Sequence, residues 1–262
     1  MNLKNKIRGL KEMWQFENRL PLILTRTLFP RENLQVYRYK GVEILTDVSG
    51  GDANGAREVL TSPMYRRFLP QMQLKDGLNI LDIGANNGGF PLLLAADGFK
   101  LKKVVSVEFN PNTFLRLRFN LERNLDCEVV PLNVALCGEA RQLSVALGAG
   151  SVGDSIYDGA NGSEGKVFQI EGMTFDKLFE SHFAGEIVDV CKIDIEGAEF
   201  EVFAKPSHQQ LSRCRYLIME IHEGADRKTA TILPILEQLG FARPAQPDDA
   251  DPAVYFFANS RL

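Results

Sequence analysis

Long apolar runs are missing from this chain of 262 residues. None approaches the roughly 18 consecutive apolar residues that a membrane helix needs. The longest near the front, Leu20 to Phe29, is broken by Pro21, Thr25, Arg26 and Thr27. It also follows too many charges and too long a polar lead for a secretory signal. These absences predict a cytoplasmic protein. Cysteine is scarce, and Cys127, Cys137, Cys191 and Cys214 have no C-x-x-C spacing. That argues against a thiolate zinc site or a dithiol redox pair. His182, His208 and His222 are too scattered for a metal motif, so no metal is expected. A basic domain of the kind nucleic-acid binding favours is absent as well, since the net charge is −4. No nucleic-acid partner is expected.

The charge that is present is uneven. The first 40 residues hold nine Lys/Arg and three Asp/Glu, a net +6, and the remainder hold 21 and 31, a net −10. A basic lead precedes an acidic body, which suits contact with an acidic partner or a membrane surface. Leu3, Ile7, Leu10 and Trp14 fall on one stripe of a predicted helix over 3–16, with lysines and arginines on the other faces. That helix is expected to pack on the main domain or on a second subunit, with a membrane surface as the alternative.

Residues 34–47 read as a short hairpin turning at Lys40-Gly41, and 56–72 as a helix interrupted at Pro63. From residue 78 the pattern becomes regular. Apolar runs at Leu78–Ile83, Val104–Phe109, Cys127–Leu136, Ile187–Ile195 and Tyr216–Ile221 alternate with helical stretches at Phe90–Asp97, Asn112–Arg123, Glu199–Ala204 and Arg227–Leu239. Such alternation predicts β-α units feeding a mostly parallel, doubly wound α/β sheet. Phe241–Arg243 and Val254–Ala258 resemble a closing antiparallel hairpin, and Arg141 to Ile170 reads as an irregular insert. The Gly- and Ser-rich stretch 148–165 inside that insert is a candidate substrate lid. The division expected is a helical and strand extension over 1–55 and one sheet domain over 56–262.

Ligands of open parallel sheets bind at the carboxyl ends of the strands. Polar residues should therefore collect where the apolar runs end. They do so five times: Gly84 to Gly89, Glu108 to Asn110, Asn133, Asp194 to Glu196, and Glu220 to Glu223. In the first, the glycines of Gly84-Ala85-Asn86-Asn87-Gly88-Gly89-Phe90 permit a sharp turn. The helix start that follows offers free N–H groups to a carboxylate or phosphate. A dinucleotide binder would have glycine where Asn86 stands, to admit a pyrophosphate. S-adenosylmethionine has no pyrophosphate, so the loop favours that methyl donor over a nicotinamide cofactor. Glu108 follows Gly84 at about the spacing where an acid meets ribose hydroxyls.

Leu81 to Phe90, Val107-Glu108-Phe109-Asn110-Pro111, Asn133-Val134-Ala135-Leu136 and Lys192-Ile193-Asp194-Ile195-Glu196-Gly197-Ala198-Glu199 together resemble the FkbM family of methyltransferases, with Met219 to Glu223 as a further match. The resemblance covers roughly 56–224. It implies a Rossmann-like class I methyltransferase that O-methylates hydroxyls of polyketides or glycans. It further implies that Asp82, Gly84, Ala85 and Asn86, with Gly88 and Phe90 of the same loop, hold the methionine portion. Glu108 would hold the ribose, Phe109 and Asn110 would lie beside the adenine, Asn133, Val134 and Ala135 would line its pocket, and Asp194 would lie near the sulfonium. Relatives often have Tyr-Glu just before the sheet; this chain has Tyr65-Arg66. A hydroxyl acceptor must lose a proton, and Asp194 and His222 lead as candidate bases, with Glu196 and Glu220 behind them. Two other functions stay open at this level: a non-catalytic nucleoside-binding module and a nicotinamide-dependent oxidoreductase.

Overall fold

In the computed structural model of the protein, the residues described are 12–29, 31–48, 52–147, 166–245 and 253–262. The five apolar runs become the parallel part of a seven-stranded sheet. They are β3 (Leu78–Ile83), β4 (Leu101–Val107), β5 (Glu128–Leu132), β9 (Val188–Ile193) and β10 (Cys214–Glu220). All six residues of β3 are buried, as expected of a central strand covered on both faces. Its side chains alternate between two cores. Leu78 and Ile80 join Phe90, Leu93 and Val104 on one side, whereas Leu81 and Ile83 join Phe179, Val202 and Leu217 on the other.

With β11 (Phe241–Ala242) and β12 (Val254–Asn259), strand order is β11-β12-β10-β9-β3-β4-β5. The chain builds outward from β3 to β4 and β5, then returns to place β9 on the other side of β3. The order therefore reverses between β3 and β9, which is where such sheets open a crevice. Pro131 sits in β5, at the sheet edge, where a missing N–H breaks no ladder. The closing hairpin forms from β11 (Phe241–Ala242) and β12 (Val254–Asn259), with β12 antiparallel to β10.

Three stretches differ from the sequence reading. The run Cys127–Leu136 divides, because Asn133 separates β5 from β6 (Val134–Leu136), which leaves the main sheet. The insert expected to be irregular contains β7 (Arg141–Leu147) and β8 (Lys166–Met173), an antiparallel pair that completes a small sheet in the order β6-β8-β7. The candidate lid over 148–165 lies outside the described residues. The helix predicted over Arg227–Leu239 shortens to a 3-10 turn, Thr229–Thr231, and a helix, Leu233–Gln238. Pro234, with no N–H to give, suits only the first turn of that helix.

Ahead of the sheet, a helix Arg19–Leu28 tolerates Pro21 in its first turn, and β1 (Leu34–Tyr39) pairs with β2 (Val42–Asp47). Tyr37, Tyr39 and Ile44 share a core with Phe90 and Leu93. Asn120 fixes this hairpin in place: its Oδ1 accepts from Leu45 N–H at 2.7 Å, and its Nδ2 donates to the Leu45 and Asn87 carbonyls, each at 2.9 Å. Leu20, Leu24, Leu28 and Phe29 remain exposed. Residues 3–11 of the predicted lead helix fall outside the described residues. Among the described residues, no helix is long and apolar enough to cross a membrane.

Candidate functional site

A cleft of about 210 Å³ opens at the switch point, with Gly84, Asn86, Glu108, Val134, Asp194 and Glu220 on its walls. Its floor is the turn after β3. Gly84 has φ 71°, and a Cβ there would lie 1.7 Å from the Asp194 carbonyl oxygen. Only glycine lets the ends of β3 and β9 approach this closely. Asn86 takes the left-handed conformation at φ 50°, which asparagine tolerates better than most residues. Its side-chain oxygen accepts from Asn87 N–H at 2.8 Å.

Glu108 directly follows β4 and is buried, with its carboxylate turned toward that loop. One oxygen accepts from Asn86 N–H at 2.9 Å and the other from Asn110 N–H at 2.8 Å. A carboxylate has about four acceptor sites, so each oxygen can serve more than one donor. The acid and the glycine turn thus meet in one wall. Asn133 works from behind it, donating to the carbonyls of Glu108 at 2.8 Å and Phe109 at 2.9 Å.

The opposite wall is ionic. Lys192, buried within β9, donates to the Gly84 carbonyl at 2.6 Å and lies 3.4 Å from Asp194 and 3.6 Å from Asp82. Burial opposes its charge, but Asp194 and Asp82 outweigh burial and raise its pKa. Burial, only partly offset by Lys192, pushes Asp82 up to about 6. Tyr65 reaches in from the segment preceding the sheet and donates its hydroxyl to Asp194 at 3.3 Å. Burial, then the Asp194 charge, holds that phenol protonated well beyond its usual range.

His222 lies just past β10. Its Nδ1 is 3.0 Å from Glu199, and its Nε2 is 3.3 Å from Glu196, 3.6 Å from Glu220 and 4.0 Å from Asp194. Burial disfavours a charged imidazole, yet the hydrogen bonds to Glu199 and Glu220 and the fields of Glu199 and Glu196 prevail, raising its pKa to about 11. Burial also raises Glu196, which His222 only partly offsets.

Of the donor residues expected from sequence, Gly84, Ala85, Asn86, Phe90, Glu108, Phe109, Asn110, Val134, Ala135 and Asp194 all line the cleft. Asp82, Gly88 and Asn133 stand one layer behind its lining. Gly88, at φ 94°, leads into the helix Gly89–Ala96, and a Cβ there would press on Leu121 and Leu117 at 3.1 and 3.2 Å. His222 likewise sits behind the wall. Arg66 faces elsewhere, its guanidinium bound to Asp97 at 2.6 Å. Glu58, Val59, Met64 and Tyr65 line the cleft without having been expected there. They arrive from the segment before the sheet, and only the pairing of Tyr65 with an acid across the fold marks one of them out.

An open sheet with a switch-point cleft and an antiparallel closing hairpin is the class I methyltransferase fold. The model of the methyltransferase FkbM domain matches residues 82–242. That span exceeds half the chain, which therefore belongs to the FkbM methyltransferase family. Among solved structures, a methyltransferase FkbM from Methylobacillus flagellatus KT is similar at 16% identity and TM-score 0.50, covering 75% of this chain. The chain spans about half, 47%, of that protein's length. Magnesium protoporphyrin IX methyltransferase from Synechocystis PCC 6803, solved with bound SAM, gives 14% identity and TM-score 0.44 over 80% of each chain. An rRNA methylase from Streptococcus thermophilus gives 12% and 0.40, over 74% of this chain and 93% of that one. No curated protein matches the chain.

Proposed function

We propose that the protein transfers the methyl group of S-adenosylmethionine to a hydroxyl of a glycan or a polyketide-like small molecule. One observation carries the reading: a buried Glu108 carboxylate tied to the loop N–H of Asn86, at the edge of the same cleft as the Gly84 turn. In this reading the N–H groups of the turn and of the following helix start take the donor's carboxylate. Glu108 accepts from the ribose hydroxyls, and Phe109, Asn110, Val134 and Ala135 enclose the adenine. Asn86 in place of glycine supports this donor over a dinucleotide.

The sulfonium is already an activated leaving group, so alignment of the acceptor oxygen is the main requirement. Asp194 is the proton acceptor in this reading, because its carboxylate is in the cleft wall. His222 is set aside as a base because it stands behind the cleft wall, with Nδ1 on Glu199 and Nε2 facing Glu196. It serves instead to hold Glu196 and Asp194 together. The exposed apolar stripe of the helix Arg19–Leu28 supports contact of the basic lead with a membrane surface or a second copy.

Calorimetric titration of the protein with S-adenosylmethionine and with NAD tests the donor, and binding of NAD alone would overturn the assignment. Incubation with methyl-labelled donor and panels of glycans, polyketides and RNA tests the acceptor. Label on RNA alone would sink the hydroxyl small-molecule reading, and donor binding without label on any acceptor would point to a binding module.

A further inference from the structure

Asp194, Glu196, Glu199 and Glu220 crowd around one imidazole. The lysine beside them, Lys192, is already divided among Asp82, Asp194 and the Gly84 carbonyl. That wall of the cleft therefore holds more negative charge than its own cations balance. We propose that Asp194, Glu220 and His222 form a binding site for a first-row divalent cation, Mn²⁺ or Zn²⁺, beside the methyl-transfer cleft.

The geometry suits one ion. The three residues each offer a ligand atom, and those atoms lie within 4.8 Å of one another. Two ligands about 2.1 Å from a tetrahedral metal lie about 3.4 Å apart. The imidazole Nε2 is 3.6 Å from the Glu220 carboxylate and 4.0 Å from that of Asp194, so a modest closure of side chains brings all three into range. Two carboxylates and one imidazole are a donor set for a first-row divalent ion rather than for calcium, which takes six to eight oxygens.

Outside the three ligands, Glu199 gives a second line of support. It is fully buried, its Oε1 takes Nδ1 of His222 at 3.0 Å, and its Oε2 lies buried without a hydrogen-bond partner. A buried carboxylate on one imidazole nitrogen, with the other nitrogen facing acids, is how proteins orient a metal-ligating histidine. Leaving a carboxylate oxygen unpaired in the interior is costly unless charge nearby compensates it. A divalent ion on the far side of the ring supplies that charge. Sequence reading places Asp194, Glu220 and His222 on the polar rim as candidate bases, and the structure adds that the ends of β9 and β10 bring their ligand atoms within 4.8 Å of one another. The expectation of no metal rested on cysteine and histidine spacing along the chain.

Asp194 and Glu220 line the cleft, so an acceptor hydroxyl entering it comes within reach of the ion. A bound cation lowers the pKa of a ligating oxygen. The acceptor O–H then gives its proton to the Asp194 carboxylate oxygen that does not hold the ion, the oxygen forms the new bond to the methyl carbon, and the carbon–sulfur bond breaks with its electron pair passing to sulfur. This chemical role rests on the proposed methyl transfer; binding of the ion does not.

The test uses the full chain without donor or acceptor. Titration with Mn²⁺ followed by loss of the free ion's paramagnetic resonance signal, and with Zn²⁺ by calorimetry, should give one ion per chain. Glu220→Gln and His222→Gln should each abolish that binding, while Glu199→Gln should weaken it about 10- to 100-fold. The exposed control Glu237→Gln should leave it unchanged. Failure of the wild-type chain to bind either ion at millimolar concentration would overturn the proposal, and so would equal binding by folded Glu220→Gln and His222→Gln proteins. In that event the imidazole is simply an ion-paired cation. A donor titration on the same samples keeps the two readings apart: metal without donor removes the methyl-transfer reading alone, and donor without metal removes this one.

Discussion

On the β4 side of the cleft, the acid that faces the ligand is held by two backbone N–H groups, from Asn86 and Asn110. On the β9 and β10 side, carboxylates from Asp194, Glu196 and Glu220 face one histidine. The first wall is organised by backbone geometry before any ligand arrives. Side-chain charge organises the second, which depends on what cation sits in its midst. A rigid wall suits a constant partner such as a cofactor, and a charged one suits chemistry that moves protons.

Changes at the junction, on each wall and away from the cleft should therefore fail differently. Gly84→Ala strikes the junction of both, because its Cβ would meet the Asp194 carbonyl at 1.7 Å. We expect a loss of at least about 3 kcal/mol of stability or no folded protein, read by thermal melting. Asp194→Asn touches the charged wall only. Turnover should fall about 10²- to 10⁴-fold with donor affinity nearly unchanged, and a matching loss of donor affinity would move Asp194 out of the reaction. Glu108→Gln keeps the shape of the rigid wall and removes its charge. Donor binding by calorimetry should weaken by about 1.5–3 kcal/mol, whereas metal binding should not change.

The smallest effect belongs to a pair outside the cleft. Burial works against ionised Asp97, but hydrogen bonds from Arg66 and Lys40 overcome it and hold its pKa below the ordinary value. A lowered folded-state pKa contributes stability above the unfolded value of about 3.9 and loses it as pH falls through the folded one. Asp97→Asn should cost on the order of 1 kcal/mol near neutral pH and nothing in strong acid. Equal destabilisation at both pH values, measured by denaturant melts, would show that packing and not charge is at stake.

The rigid wall was the more legible of the two in sequence. Its parts are contiguous: a strand, a glycine turn and a helix start, then a second strand followed by an acid, and the structure gathers them at one cleft. β3 fell on its predicted residues because four of its six residues are Leu or Ile and glycine bounds the run on both sides. β7 and β8 were missed because each carries polar residues on an exposed face and the stretch between them is rich in glycine and serine. The helix Arg19–Leu28 hid behind Pro21 and two threonines, which lower helix propensity without forbidding a helix. Tyr65 was noticed only for its neighbour, since nothing local says that a segment ahead of the sheet folds over the cleft. The charged wall was legible in part: the strand-end rule put Asp194, Glu196, Glu220 and His222 on one rim, but linear spacing does not report that the acids close around a single imidazole.

Asn120 joins the β1–β2 hairpin to the Asn87 carbonyl through a single amide. Whatever tugs on the front of the molecule, a lipid surface or a neighbouring subunit, therefore has a short mechanical route to the loop that would hold the donor.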